Sequence, residues 1–286
     1  MKLFKKVLKY SFIVLSILFI VLYILFYNFS TPKSDTEILG DFSEKNYTAK
    51  IRYLDFDHRK VRIVSSKSTF DKTLPTILFV HGSIGSSTDF EAYMTDDDLN
   101  NKANLISYDR IGYGQHQGGN VLNSIDKETQ LLEEVIKQFD IERLILVGYS
   151  YGGPVALNYA VAHNTEKVVL CAPALYADHE KVPGAIAFYK WKLTRFLVPS
   201  VWKSASKEKL SHAQELLNFE EKWPLVHSEI IGIHGNGDGI VPYENSLTLK
   251  EELPENKFKL VTIENEGHGL IWSSFNIIKE ELLKLF

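Results

Sequence analysis

The chain is poor in cysteine: its 286 residues contain one, Cys171, so no intrachain disulfide can form. Cys171 lies in the apolar stretch KVVLCAP, which predicts a small buried side chain. A lack of disulfides is compatible with either side of a membrane and does not decide the compartment. No segment is of low complexity and 45% of the residues are hydrophobic, which argues against a disordered chain and predicts one large domain.

The sequence also lacks the usual patterns for metals, phosphates and nucleic acids. The nine histidines are not grouped with cysteines at metal-ligand spacing, so we expect no metal site. No G-x-G-x-x-G motif follows a predicted strand in register, so we expect no cofactor. Apart from four lysines in the first nine residues, the chain carries 28 basic against 36 acidic residues, which argues against a nucleic-acid partner.

Charged residues are absent from residues 10–29, YSFIVLSILFIVLYILFYNF. As a helix this run would be about 30 Å long, enough to span the hydrocarbon core of a bilayer. The preceding lysines predict that residues 1–9 are cytoplasmic and that the C-terminal body is extracytoplasmic. The run exceeds the apolar part of a secretory signal and no A-x-A-like site follows it. We therefore predict a single-pass signal-anchor, with a cleaved signal peptide or a buried core helix as alternatives.

The rest of the chain alternates between apolar runs and helical patterns. Residues 30–45 are polar with proline and glycine and predict a linker, and residues 46–286 form the domain. After a predicted hairpin at 47–53 and 60–65, six apolar runs follow: TILFVHG, NLISYDR, RLILVGYS, KVVLCAP, EIIGIHG and KFKLVTI. Between them lie helical patterns at 124–139, 153–163 and 270–286. This alternation predicts an α/β fold with a mostly parallel, doubly wound sheet.

Residues 176–228 break this alternation because they separate two predicted strands by about 50 residues, too many for an ordinary connection. The segment predicts a small helical cap inserted into the domain. It is rich in aromatic residues, which either form the cap's own core or line an acyl or aromatic pocket. We expect the former for most of them. The aromatic residues are Tyr176, Phe188, Tyr189, Trp191, Phe196, Trp202, Phe219 and Trp223.

One motif within the predicted sheet indicates chemistry. Gly148-Tyr149-Ser150-Tyr151-Gly152 matches G-x-S-x-G between a predicted strand and a predicted helix. Serine at such a turn is held in an unfavourable backbone conformation that projects its hydroxyl group, and the helix N-terminus favours developing negative charge. The alternative is a tight turn without catalytic function, because G-x-S-x-G is common by chance.

A serine nucleophile needs a base and a carboxylate that orients the base. His268, in EGHG, and Asp238, in HGNGDGIVP, each follow a predicted strand. Taken singly, each residue is more often a surface histidine or a turn aspartate than a catalytic group. Because Ser150, Asp238 and His268 follow successive strand ends in this order, we predict that they form a catalytic triad.

Residues 50–286 resemble the α/β-hydrolase superfamily at four motifs: HGSIGS from His81, GYSYGG, HGNGDGIVP and EGHG. The resemblance implies that the backbone N–H groups of Ser83 and Tyr151 form an oxyanion hole. It also implies a structural role for the DRIGYG loop that begins at Asp109. We expect His81 and His234, beside these loops, to be hydrogen-bonded framework groups.

The resemblance implies a serine hydrolase acting on a small-molecule or lipid-like acyl substrate, with carboxylic esters as the first expectation. Together with the apolar run at residues 10–29, it predicts a membrane-anchored serine hydrolase. Peptide, thioester or C–C bond hydrolysis and acyl transfer are alternatives, because a fold does not choose among these reactions. Serine at position 150 argues against haloalkane dehalogenases and epoxide hydrolases, which need a carboxylate nucleophile. A membrane-tethered binding protein without activity is less favoured, because all three triad residues are present. The sequence does not indicate an oligomeric state.

Overall fold

A computed structural model describes residues 2–115, 117 and 119–286, and its centre is one eight-stranded sheet. The strands are β1 (Lys50–Phe56), β2 (Arg59–Ser65), β3 (Thr76–Val80), β4 (Asn104–Tyr108), β5 (Leu144–Tyr149), β6 (Lys167–Cys171), β7 (Glu229–Gly235) and β8 (Phe258–Ile263). Their spatial order is β1-β2-β4-β3-β5-β6-β7-β8. The first three strands in this order pair antiparallel, and every later pair is parallel.

Helices lie before, between and after the strands. They are α1 (Lys2–Phe29), α2 (Asp35–Glu44), α3 (Glu91–Met94), α4 (Asp97–Lys102), α5 (Ile125–Ile136), α6 (Gly152–Ala162), α7 (Ile186–Lys190), α8 (Ser200–Leu216), α9 (Glu244–Glu252), α10 (Leu270–Ser273) and α11 (Phe275–Leu283). The α/β-hydrolase fold and the mostly parallel sheet expected from the sequence are confirmed.

The apolar runs form strands because the central sheet is covered on both faces. All residues of β3, β4 and β5 are buried. Their side chains alternate between two hydrophobic clusters, one on each face: Leu78 and Leu146 belong to one, and Ile77 and Ile145 to the other. The carboxyl ends of the parallel strands meet at one edge of the sheet, where open α/β sheets place their sites.

Helix α1 begins at Lys2, and it has the length and composition of a membrane anchor or a signal sequence. None of its most apolar stretch is buried inside the protein. In contrast with a core helix, α1 therefore presents its apolar side chains around most of its circumference.

The predicted linker over residues 30–45 is wrong for most of its length, because α2 occupies Asp35–Glu44. The helix begins with a capping box, in which Ser34 Oγ accepts a bond from the Glu37 N–H and the Glu37 carboxylate accepts one from the Ser34 N–H. Ile38 and Phe42 are buried against the domain. The polar composition reflects the exposed face of an amphipathic helix rather than a flexible tether.

The segment between β6 and β7 carries α7, α8 and short 3-10 turns, and it lies over the sheet edge. The prediction that most of its aromatic residues form a separate core is wrong. Tyr176, Phe219 and Trp223 are buried in the main hydrophobic cluster of the domain. Phe188, in the five-residue α7, and Trp191, directly after it, are instead 63% and 59% exposed.

Candidate active site

Ser150 lies at the sharp turn between β5 and α6. Its φ of 53° is in the left-handed region, which a side chain other than glycine adopts at an energetic cost. The turn is held by the Ser150 N–H, which donates to the Cys171 carbonyl at 3.0 Å. It also requires close backbone approach, since a Cβ on Gly152 would lie 2.1 Å from the Val80 carbonyl oxygen. The hydroxyl group is thereby held at the carboxyl end of the central strand.

His268 lies in the loop between β8 and α10 and reaches the serine. Its Nε2 is 3.0 Å from Ser150 Oγ, within hydrogen-bond distance. Tyr149 holds this loop in place, because its hydroxyl donates to the His268 carbonyl at 2.9 Å and its ring stacks on the imidazole with centroids 5.2 Å apart. The sequence assigns no role to Tyr149, because its position before the nucleophile does not indicate a contact with His268.

Asp238 lies after β7, and its Oδ2 is 2.7 Å from His268 Nδ1. The other carboxylate oxygen, Oδ1, accepts hydrogen bonds from the Ile240 and Val241 N–H groups at 2.8 and 2.9 Å. Burial by itself would raise the pKa of Asp238, but the adjacent His234 and His268 side chains and the Val241 amide lower it below its ordinary value. The carboxylate is therefore ionised near neutral pH, with one oxygen fixed by the backbone and the other directed at the imidazole.

The two predicted oxyanion-hole residues lie beside the same hydroxyl. Ser83, Tyr151, Ser150 and His268 all line one cavity. Within the part of the chain that the structure describes, neither the Ser83 nor the Tyr151 backbone N–H donates to another protein atom. Both amides are therefore available to an oxygen atom placed next to Ser150.

Glu208, which the sequence prediction missed, holds the oxyanion loop from the cap. Its Oε2 accepts hydrogen bonds from Ser83 Oγ at 2.7 Å and from the Tyr113 hydroxyl at 2.5 Å, and its Oε1 pairs with Arg110. Glu208 and Arg110 are fully buried. Glu208 is 125 residues from Ser83 in a helix of ordinary composition, so no local sequence signal reveals the contact.

The DRIGYG loop and the two framework histidines bind other protein groups. Asp109 pairs with Arg62 at 2.8 Å. His81 Nε2 accepts from the Arg110 N–H at 2.9 Å, and burial, with the Arg110 charge, holds the pKa of His81 well below its ordinary value. His234 Nδ1 is 2.8 Å from Ser246 Oγ, and its Nε2 is 3.4 Å from Asp238 Oδ2. These contacts agree with the framework role expected for the loop and both histidines, and His234 also orients Asp238.

The cavity beside Ser150 has a volume of about 580 Å³, within the range of small-ligand sites. Most of its wall is apolar and comes from the cap. Among the lining residues that the structure describes, none carries a carboxylate. The described residues also contain no group of three or more His, Cys, Asp or Glu side chains placed to hold a metal ion.

Known proteins share this architecture. The sequence model of the serine aminopeptidase S33 family matches residues 71–232, more than half of the chain. The chain belongs to this family. This S33-family protein is 28% identical over 217 residues to the 1-acylglycerol-3-phosphate O-acyltransferase of Arabidopsis thaliana, an alignment that covers 70% of the chain. The chain spans 49% of the length of this relative and 39% of the length of a probable 1-acylglycerol-3-phosphate O-acyltransferase of Oryza sativa.

Solved structures resemble the S33-family chain over most of its length. An esterase from Exiguobacterium antarcticum has a TM-score of 0.62 at 18% identity and covers 81% of the chain and 97% of its own. A bacterial membrane phospholipase A has a TM-score of 0.62 at 14% identity and covers 97% of both chains. At these identities the likeness shows the α/β-hydrolase fold, and the family supports a hydrolase.

Proposed function

We propose that this protein is a membrane-anchored serine hydrolase that cleaves carboxylic esters through Ser150, His268 and Asp238. The observation that carries the proposal is the continuous chain of contacts from Ser150 Oγ to His268 Nε2 at 3.0 Å and from His268 Nδ1 to Asp238 Oδ2 at 2.7 Å. The strained backbone at Ser150 supports the same reading, as do the Ser83 and Tyr151 amides, which have no protein acceptor among the described residues.

The proposed reaction follows from these contacts. Ser150 Oγ attacks the ester carbonyl carbon while His268 Nε2 takes the hydroxyl proton. The carbonyl oxygen becomes an oxyanion and accepts hydrogen bonds from the Ser83 and Tyr151 amides. His268 then gives its proton to the leaving alcohol as the C–O bond breaks, which leaves an acyl group on Ser150. Water repeats the sequence and releases the carboxylic acid, while Asp238 stabilises the imidazolium throughout.

The cavity favours neutral esters over peptides with a free amino terminus. An aminopeptidase substrate carries a charged α-amino group near the scissile bond, and burying that charge without a carboxylate partner is costly. The described cavity lining has no carboxylate, and the Lys209 ammonium group in it is already paired with Glu180, which lies outside that lining. Most of the remaining wall is apolar and suits an acyl chain. We therefore favour ester cleavage over the aminopeptidase activity for which the family is named.

Acyl transfer is the second candidate, because the relatives from Arabidopsis and rice bear that activity in their names. The same acyl-Ser150 intermediate would pass its acyl group to an alcohol instead of water. Product analysis with and without an added lysophospholipid acceptor separates the two. Hydrolysis predicts free fatty acid in both cases, whereas transfer predicts a new diacyl product only when the acceptor is present.

The membrane anchor is part of the proposal. Helix α1 is long and apolar enough to cross a bilayer, and Lys5, Lys6 and Lys9 lie at its N-terminal end. The positive-inside rule then predicts that residues 30–286 lie on the extracytoplasmic side. Protease digestion of sealed, right-side-out cells or vesicles should remove this body, and full protection of the body would refute the orientation. N-terminal sequencing of the membrane fraction distinguishes an anchor from a cleaved signal.

A fluorophosphonate probe tests the serine directly. We expect the full-length protein in detergent to be labelled at Ser150, and we expect Ser150→Ala to abolish both labelling and hydrolysis of a short soluble p-nitrophenyl ester. Ser43→Ala, a substitution on the exposed face of α2, is the control and should keep both. Full-length folded protein that is neither labelled nor active would refute the proposal and favour a binding protein.

A further inference from the structure

The cavity beside Ser150 extends from the triad to helix α1. Ser150 and His268 line one part of it, and Phe19, Tyr23 and Phe26 of α1 line another. Residues at spacings of four and three lie on one face of a helix, so these three rings form a continuous apolar stripe. The helix that we propose to be the membrane anchor is thus also a wall of the substrate cavity.

The stripe lies within the membrane-spanning part of α1. Phe19 precedes Phe29, the last residue of α1, by ten residues, which corresponds to about 15 Å along a helix. The hydrocarbon core of a bilayer is about 30 Å thick, so the stripe reaches roughly halfway into it. If α1 spans a bilayer, this part of the cavity wall lies at the depth of lipid acyl chains.

Specific contacts hold α1 beside the cap. The Phe26 and Trp202 rings have centroids 5.4 Å apart. Trp202 Nε1 donates to Ser30 Oγ at 2.9 Å, and Ser30 Oγ donates back to the Phe26 carbonyl at 2.7 Å. Because Trp202 lies in α8 of the cap and also lines the cavity, the junction of cap and anchor is a built part of the site.

Between residues 182 and 196 the cap carries an apolar surface patch, defined by five side chains that are each more than half exposed. They are Val182, Phe188, Trp191, Leu193 and Phe196. A cluster of large exposed apolar side chains marks a surface that contacts a membrane or another protein. Phe188 also lines the cavity, so the patch and the cavity are continuous. Lys190 and Lys192 within the patch can extend to anionic headgroups.

We propose that the cavity opens laterally into the bilayer between α1 and the cap, and that the substrate is an acyl ester of a membrane lipid. The lipid's acyl chain enters along Phe19 and Tyr23 from the hydrocarbon core, and its ester group reaches Ser150. As the acyl chain leaves the bilayer, contacts with apolar wall residues replace its contacts with other lipids. The acyl chain can therefore move from the bilayer to the cavity without being exposed to water. This inference rests on the proposed function and adds the substrate class and its route.

The test uses full-length protein reconstituted in anionic phospholipid vesicles. Two rates are measured: release of fatty acid from the vesicle lipid, and hydrolysis of a soluble p-nitrophenyl acetate. Phe19→Asn with Tyr23→Asn makes the cavity-facing stripe polar. Val21→Asn with Ile24→Asn makes the same change on the opposite face of α1, outside the cavity lining. Vesicle flotation checks that both variants remain anchored.

We expect the ratio of the lipid rate to the soluble-ester rate to fall about tenfold in the stripe variant, because its entrance no longer offers an apolar path. The opposite-face variant should keep the wild-type ratio. Equal ratios in both variants and wild type would overturn the lateral route. An equal fall in both would also overturn it, because the loss would then trace to the anchor as a whole.

A second variant tests the cap patch without altering α1. Trp191→Ser with Phe196→Ser should lower the same ratio, whereas Ile277→Ser, an exposed apolar residue on α11, should not. Wild-type protein that hydrolyses the soluble ester but no vesicle lipid would overturn the substrate class while leaving the hydrolase intact. Failure to hydrolyse either compound, with Ser150 unlabelled, would refute the proposed function itself.

Discussion

The buried charge cluster around Arg110 predicts how stability depends on pH. The Arg110 guanidinium lies between Glu128 and Glu208, and all three side chains are fully buried. Burial raises the pKa of Glu128 to about 7, and the nearby Glu208 charge adds to the rise, while Arg110 opposes it. One cation therefore faces two carboxylates, and we expect Glu128 to bind a proton as the pH falls through about 7.

The direction of this pH dependence follows from proton binding in the folded and unfolded states. In the unfolded chain Glu128 releases its proton near its ordinary value of 4.5, whereas in the folded protein it keeps the proton up to about pH 7. The folded state binds more protons in this window, so its free energy of unfolding decreases as the pH rises through it. From these two values, the loss between pH 5 and pH 8 is about 2–3 kcal/mol.

The assay compares Glu128→Gln with wild type by thermal unfolding in detergent, followed by tryptophan fluorescence at pH 5 and pH 8. Glutamine has nearly the same shape as glutamate but does not titrate. The free energy of unfolding of the variant, relative to wild type, should therefore be about 2–3 kcal/mol higher at pH 8 than at pH 5, or about 5 °C in Tm. Glu134→Gln, on a more exposed part of α5, controls for the loss of a glutamate. An identical Tm difference at both pH values would show that Glu128 is ionised in the folded protein and would refute the reasoning.

Three further predictions concern the site and α2. Asp238→Asn should lower kcat for a soluble ester by about 10⁴-fold with little change in KM, because the imidazole loses its orienting charge; a fall of less than tenfold would contradict the triad. Gly152→Ala should cost about 3 kcal/mol, measured as a lower Tm, because its Cβ would meet the Val80 carbonyl at 2.1 Å. Ser34→Ala should lower the free energy of unfolding by about 1 kcal/mol through loss of the α2 cap, and Ser43→Ala should not.

Much of the fold could be predicted because parallel strands bury both faces. Runs such as Leu144–Tyr149 are apolar at nearly every position, so the sequence predicts that they are strands and gives their order along the chain. The positions of Asp238 and His268 at strand ends also predicted that they would approach Ser150, and the structure brings the three together. Residues that directly follow parallel strands lie close together because these strands all end at the same edge of the sheet.

Other features depend on contacts that composition does not specify. The S-x-x-E pattern at Ser34 and Glu37 signals a helix start, but proline and glycine nearby favoured a linker. Exposed Trp191 and buried Trp223 occur in the same aromatic segment, and only tertiary packing separates them. Glu208 joins groups distant in sequence, so its role emerges only when the cap is placed on the domain.

The short connection after α1 has a kinetic consequence. Arg62 donates to the Lys33 carbonyl at 2.8 Å and pairs with Asp35 at 3.1 Å, while Ser30 is bonded to the cap. These contacts therefore fix the orientation of the body relative to α1. On the proposal that α1 spans a bilayer, enzyme and lipid meet in two dimensions with a fixed orientation. Turnover should then scale with the mole fraction of substrate in the membrane, and diluting the vesicles in buffer should leave it unchanged.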